Sequence, residues 1–142
     1  MSIPASAIGP AVNGVLETMY FLVPAYKGPG RLECPAFAAT LGFTGALQGI
    51  FRVVVNRDLA ARMTAEFLAT EPGQVSEKQA EATVCELANI ACGAVLSEWM
   101  PEADFRFGIP SALKPAGPSE AFQHCFDTGG NGVDIGFDVA ID

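Results

Sequence analysis

The chain has 142 residues, half of them hydrophobic, and its 16 acidic and 8 basic side chains give a formal charge of −8. This length suits one domain over residues 1–142, and this composition excludes a disordered chain because it supplies enough apolar surface for a core. The basic residues are scattered, which argues against nucleic acid and anionic membranes as partners. No basic leader and no run of about 18 apolar residues is found, so neither a secretory signal nor a membrane span is expected, and a cytoplasmic setting is.

In chain order, residues 11–22 predict a first helix that Pro24 ends. Tyr26 to Pro35 reads as loop, with Gly28, Pro29 and Gly30 as breakers. Ala36–Phe43 and Leu47–Val55 are rich in strand formers around Thr44-Gly45 and predict a hairpin. Asn56 or Asp58 then caps a helix running to about Leu68, and Glu71-Pro72-Gly73 makes a turn. Ser76-Glu77-Lys78-Gln79 has the form of a capping box, in which the first side chain and the fourth each bond the other's backbone N–H. The helix it opens reaches Trp99 or Met100, where Pro101 stops it, a length of about 34 Å at 1.5 Å per residue. Strands are predicted at about 104–111, 120–127 and 132–140, with Asp127 to Gly132 turning between the last two. Helices and strands mix without βαβ alternation, so the fold class is α+β with a mixed or antiparallel sheet. Each half opens on a helix with a central Glu and continues into strands, a faint similarity too weak to define a repeat.

The long helix carries the most informative stretch, Cys85-Glu86-Leu87-Ala88-Asn89-Ile90-Ala91-Cys92-Gly93. At about 100° per residue, Gln79, Ala82, Glu86, Asn89, Gly93 and Ser97 form one stripe. Val84, Leu87, Ala88, Ala91, Cys92, Val95 and Trp99 spread over the other side, the predicted buried face. An ordinary solvated stripe uses Lys, Glu, Gln or Arg; this one tolerates Asn and Gly, both poor helix formers. Small Ala82 and Gly93 leave room around the pair for another molecule. The plain alternative is that Glu86 and Asn89 simply face solvent.

Other motifs carry less. Cys34, Cys85, Cys92 and Cys125 form no CxxC pair and are expected as reduced thiols, without the further ligands that a zinc site needs. His124 and Cys125 are adjacent on a strand and face opposite ways, which argues against a nucleophile–base pair. Gly129-Gly130-Asn131-Gly132-Val133-Asp134 has the form of a calcium β-roll element, but a single copy reads as a hairpin turn. No P-loop is present, and no metal site is expected. Glu17 in the first helix reads as a surface carboxylate or a dimer contact.

At Glu86 and Asn89 the chain resembles the CheC/CheX/FliY family of chemotaxis phosphatases. Their pattern is Asp/Ser-x-x-x-Glu-x-x-Asn on a long exposed helix, with a Pro further on in a strand region. Glu86 and Asn89 match the core of that pattern, and Pro110 matches the downstream Pro. Ala82 stands where the family carries Asp or Ser. CheC-like members bear two motifs, one per half; here the first helix reads Asn13-x-x-x-Glu17-x-x-Tyr20, so one site is implied, as in CheX. The resemblance implies a CheC-like fold and a homodimer. It implies dephosphorylation of a CheY-like response regulator. Asn89 would orient the attacking water, Glu86 would anchor the partner's lysine, and Ala82, Gly93 and Pro110 would lie against the partner. No cofactor of the chain's own is implied; Mg²⁺ is expected in the regulator. A receiver-binding module of the same fold without catalysis is the alternative.

Overall fold

The computed structural model describes residues 2–115, 117, 120–130 and 132–142. In chain order it contains α1 (Ala5–Tyr20), β1 (Ala25–Arg31), β2 (Pro35–Gly45), β3 (Gly49–Asn56), α2 (Arg57–Leu68), a 3₁₀ turn at Pro72–Gln74, α3 (Glu77–Trp99), β4 (Phe105–Phe107), β5 (Ser111–Leu113), β6 (Ala121–Asp127) and β7 (Ile135–Ile141). The sheet has seven strands in the order β1-β6-β7-β3-β2-β4, with β5 also on β2, and every pairing is antiparallel. The predicted α+β class with an antiparallel sheet is the one observed.

Alternation along the strands divides the sheet into two faces. Phe37, Ala39, Leu41 and Phe43 of β2, Phe51, Val53 and Val55 of β3, and Ile135, Phe137 and Val139 of β7 are buried with residues of all three helices in one core. The opposite face carries a smaller cluster of Leu32, Ala38, Val54, Phe122 and Cys125. Arg52 closes that cluster, ion-paired with Glu120 and with its guanidinium 5.4 Å from the centroid of the Phe122 ring. Gly136 lies under Phe122, where an added Cβ would stand 2.7 Å from the ring. The helices therefore form one layer on one side of the sheet. α3 is long and apolar enough, by length and composition, to cross a membrane, and this core buries one apolar side of it, Val84, Leu87, Val95 and Leu96 among others.

Four elements differ from the sequence-based expectation, each for a local reason. The first helix begins at Ala5 and ends at Tyr20 instead of spanning 11–22. Pro4 occupies the N-cap, where no N–H is required, and Pro10 is exposed, so the carbonyl it leaves without a helical partner can face water. Burial of Ile3, Ala7 and Ile8 draws this segment into the helix. Its end is set by Phe21, in the left-handed region at φ 56°, with Phe21 N–H donating to Glu17 O and Leu22 N–H to Leu16 O, a left-handed C-cap that stops the helix before Pro24 can act. The expected loop at Tyr26 to Pro35 contains strand β1, whose pairing with β6 slips at Gly28 and Gly30. A Pro is tolerated there because β1 is an edge strand. The expected strand 104–111 is two strands: Phe43 pairs with Phe107 and Thr40 with Ser111, so the segment around Ile109-Pro110 bulges between them. The last strand starts at Ile135, not 132, because the turn runs longer; Asn131 of that turn lies outside the described residues.

Candidate active site on helix α3

The capping box forms as predicted. Gln79 N–H donates to Ser76 Oγ at 3.1 Å and Ser76 N–H to Gln79 Oε1 at 2.9 Å, which fixes where α3 begins and hence its rotation over the sheet. Ala80, Val84, Leu87, Ala88, Ala91, Cys92, Val95 and Leu96 are buried on the core side, and Trp99 is half-buried. Ala82, Glu86, Asn89 and Ser97 are exposed, and Gly93 is half-buried. Gln79 belongs to the helix cap as much as to the stripe. Its side chain is committed to Ser76, which spacing alone does not reveal.

Among the described residues, neither the Glu86 nor the Asn89 side chain forms a hydrogen bond or ion pair. A carboxylate and a carboxamide one turn apart thus face outward with their bonding capacity unused. A Cβ added at Gly93 would meet nothing within 4 Å, so no neighbour in the fold requires glycine there. An interior helical Gly costs about 1 kcal/mol relative to Ala, and here that cost leaves clear space one turn beyond Asn89. Pro110 is half-buried between β4 and β5 at the β2 edge.

On the other side of Glu86 the surface dips into a cavity of about 290 Å³. Gln79, Ala82, Thr83 and Glu86 of α3 form one wall, Thr64, Phe67 and Leu68 of α2 another, and Tyr20 at the end of α1 closes it. The structure therefore groups Ala82 with Glu86, while Asn89, Gly93 and Pro110 lie outside this cavity. Tyr20 is buried, and its hydroxyl pKa is pushed up to about 12, first by burial and then by the Glu86 charge. Its phenol stays protonated in the field of that carboxylate. Sequence reasoning missed Phe67 and Leu68. The signal was present: Ala60, Met63, Thr64 and Phe67 follow helical spacing, so Phe67 continues a buried stripe past the core edge and remains 63% exposed.

The competing motifs resolve into structural roles. His124 Nδ1 bonds the Tyr26 hydroxyl at 2.8 Å, and its pKa is lowered by burial against the opposing pull of Asp138. Cys125 is in the cluster on the far face of the sheet, its thiol pushed up to about 11 by burial and then Asp138, which removes it as a nucleophile near neutrality. The Asp127 carboxylate accepts the N–H groups of Gly129, Gly130 and Gly132. Burial raises its pKa, but those bonds and Lys27 together outweigh it and bring the carboxyl below its usual value. The Asp134 carboxylate accepts from Thr128 N–H and Oγ1. These two acids build the hairpin turn. Asn56 sits at the cap of α2, but its Nδ2 donates to Val133 O at 3.4 Å and its side chain makes no cap bond; Asp58 lies in the first turn.

A helical layer on an antiparallel sheet, with an outward-facing Glu and Asn on its longest helix, defines a domain of the CheC-like fold. The family model described as chemotaxis phosphatase CheX matches residues 37–125, more than half of the chain and all of α3, and the chain belongs to that family. Solved structures share the fold. Chemotaxis protein CheX from Desulfovibrio desulfuricans is 20% identical, with a TM-score of 0.71 over 97% of this chain and 98% of that one. Chemotaxis protein CheX from Vibrio vulnificus is 17% identical, with a TM-score of 0.72 over 96% and 95%. The CheX–CheY–BeF₃–Mg²⁺ complex from Borrelia burgdorferi contains a chain 17% identical to this one, with a TM-score of 0.71 over 96% of both. No curated protein matches the chain by sequence at a significant level.

Proposed function

We propose that the protein hydrolyses the aspartyl phosphate of a CheY-like receiver domain, in chemotaxis or a related two-component circuit. The observation that carries this reading is the free, outward-facing Glu86–Asn89 pair on α3, inside the segment matched to the phosphatase family. In the reaction, water oxygen bonds to phosphorus as the bond from phosphorus to the aspartyl oxygen breaks. The products are inorganic phosphate and a free aspartate on the receiver. Mg²⁺ and a lysine of the receiver balance the charge, so the helper needs only to place the water.

Asn89 suits that task. Its carbonyl oxygen accepts from the water and its N–H donates to a phosphoryl oxygen. Being neutral, it does not repel the phosphoryl group. Glu86 would repel it, so the cation beside the phosphate is its natural target, through a charge-assisted bond. Gly93 and Ala82 leave clearance on either side, and Pro110 belongs to the partner-facing set on the same reading. The unpaired thiols suit a reducing, cytoplasmic setting. A homodimer is part of the same reading.

Ala82 in the place of Asp or Ser favours one second reading, a module that docks the receiver without hydrolysing the phosphate. Phosphate release from a phosphorylated receiver decides between them. Acceleration above the receiver's own decay supports the phosphatase; binding without acceleration supports the module.

A further inference from the structure

We infer that the cavity beside Glu86 is a socket for one apolar side chain of the receiver domain, kept open by the small side chain of Ala82. This rests on Glu86 and Asn89 being the receiver-docking pair. Besides the Glu86 carboxylate, which the docking reading commits to the receiver's lysine, and the Tyr20 hydroxyl, the socket wall has three polar side chains, all already engaged within the fold. The Thr64 hydroxyl lies 2.7 Å from Ala60 O and 2.8 Å from Thr83 Oγ1, that of Thr83 lies 3.1 Å from Gln79 O, and the Gln79 amide is committed to Ser76. They offer little to a polar ligand. The rim is apolar and wet, with Phe67 63% and Leu68 44% exposed, and covering it would release that water. A space of about 290 Å³ sits at the lower limit of small-molecule sites, ~300–1,000 Å³, and suits a single side chain.

Continuity identifies the occupant. Glu86 belongs both to the socket wall and to the docking pair. Ala82 is about 6 Å along the helix axis on one side of Glu86 and Asn89 about 4.5 Å on the other. Whatever molecule Asn89 reaches through its phosphorylated aspartate therefore also covers the socket. The residue it inserts is aliphatic or aromatic and lies about 10 Å from the water that Asn89 holds, on the side of the receiver's lysine. An acidic side chain at position 82 would place a charge over this apolar mouth, at a desolvation cost; alanine does not.

The test is a titration of a beryllofluoride-activated CheY-like receiver from the source organism with wild type, Ala82→Trp, Ala82→Asp, Ala82→Ser, Phe67→Ser and Glu86→Lys. Position 82 is exposed, so thermal midpoints of its variants should stay near wild type. Ala82→Trp and Ala82→Asp are expected to weaken binding about tenfold or more, Phe67→Ser about fivefold, and Ala82→Ser less than about threefold. One apolar-to-alanine change on the receiver is expected to be non-additive with Ala82→Trp. Wild-type binding by Ala82→Trp, alongside lost binding by Glu86→Lys, overturns the socket alone. Wild-type binding by Glu86→Lys overturns the docking reading beneath it. If Ala82→Trp instead disrupts self-association and leaves receiver binding intact, the occupant is a second copy and the proposal fails.

Discussion

Asn13, Glu17 and Tyr20 on α1 repeat the spacing of Ala82, Glu86 and Asn89 on α3, and the two helices pack against each other on one face of the sheet. Their polar groups have opposite fates. On α1 the last position is a tyrosine 4% exposed, and the Oδ1 of Asn13 is buried without a partner. Only Glu17 of that set faces water. On α3 both Glu86 and Asn89 are exposed, with open space at Gly93. The same spacing serves packing in one helix and display in the other, and burial, not spacing, makes the distinction. Tyr20 links the two: it fills the position equivalent to Asn89 and ends up on the wall of the cavity at Glu86.

This contrast can be broken at graded cost. Tyr20→Ala removes a buried ring and should destabilise the fold by about 3–5 kcal/mol, as aromatic truncations in cores do, measured by denaturant titration; a cost below about 1 kcal/mol would deny α1 its packing role. Glu86→Lys should weaken receiver binding by about 2–5 kcal/mol, whereas Glu17→Lys, the same charge change on the other helix, should alter it by less than about 0.5 kcal/mol. Equal losses in the two variants would mean that both helices dock. Gly93→Ala should raise stability by about 0.5–1 kcal/mol, because its Cβ enters open space; a lower thermal midpoint would contradict the geometry.

A pH series sharpens the same comparison. Tyr20 rises from 10.0 to about 12, mainly through burial, with Glu86 adding to it. Burial lifts Cys92 from 9.0 to about 12, and burial and then Asp138 lift Cys125 from 9.0 to about 11. The unfolded chain ionises these groups first. The stability they contribute is full below about pH 9, declines as pH rises, and is lost once the folded groups titrate near pH 11–12. Urea midpoints at pH 8 and pH 10.5 should differ in that direction. Glu86→Lys should lower the late tyrosine step seen by ultraviolet absorbance, since it removes one of the two causes raising it.

Much of this arrangement was legible in the residues. The capping box at Ser76 sets the start of α3, Pro101 its end, and 3.6-residue spacing its buried face, so the residues alone place Glu86 and Asn89 outward. The β2–β3 hairpin followed from its strand formers. What escaped depends on tertiary context. The helix expected over 11–22 starts instead at Ala5, because Pro4 occupies a cap and Pro10 an exposed turn where a lost hydrogen bond is cheap. Gly28, Pro29 and Gly30 read as loop, yet an edge strand paired on one side accommodates them. The cavity at Glu86 is assembled from α1, α2 and α3, and no single segment announces it. Tyr20 could be read as the absence of a second Asn, but not as a neighbour of the first Glu.

The central claim is that Asn89 places the water and Glu86 holds the partner. It is tested most directly by following loss of phosphate from a phosphorylated receiver at saturating wild-type or Asn89→Ala protein. The account predicts that Asn89→Ala binds the activated receiver within about threefold of wild type and yet slows hydrolysis by about 10²–10⁴-fold, the scale of a lost positioned group. Hydrolysis by Asn89→Ala at the wild-type rate would contradict it.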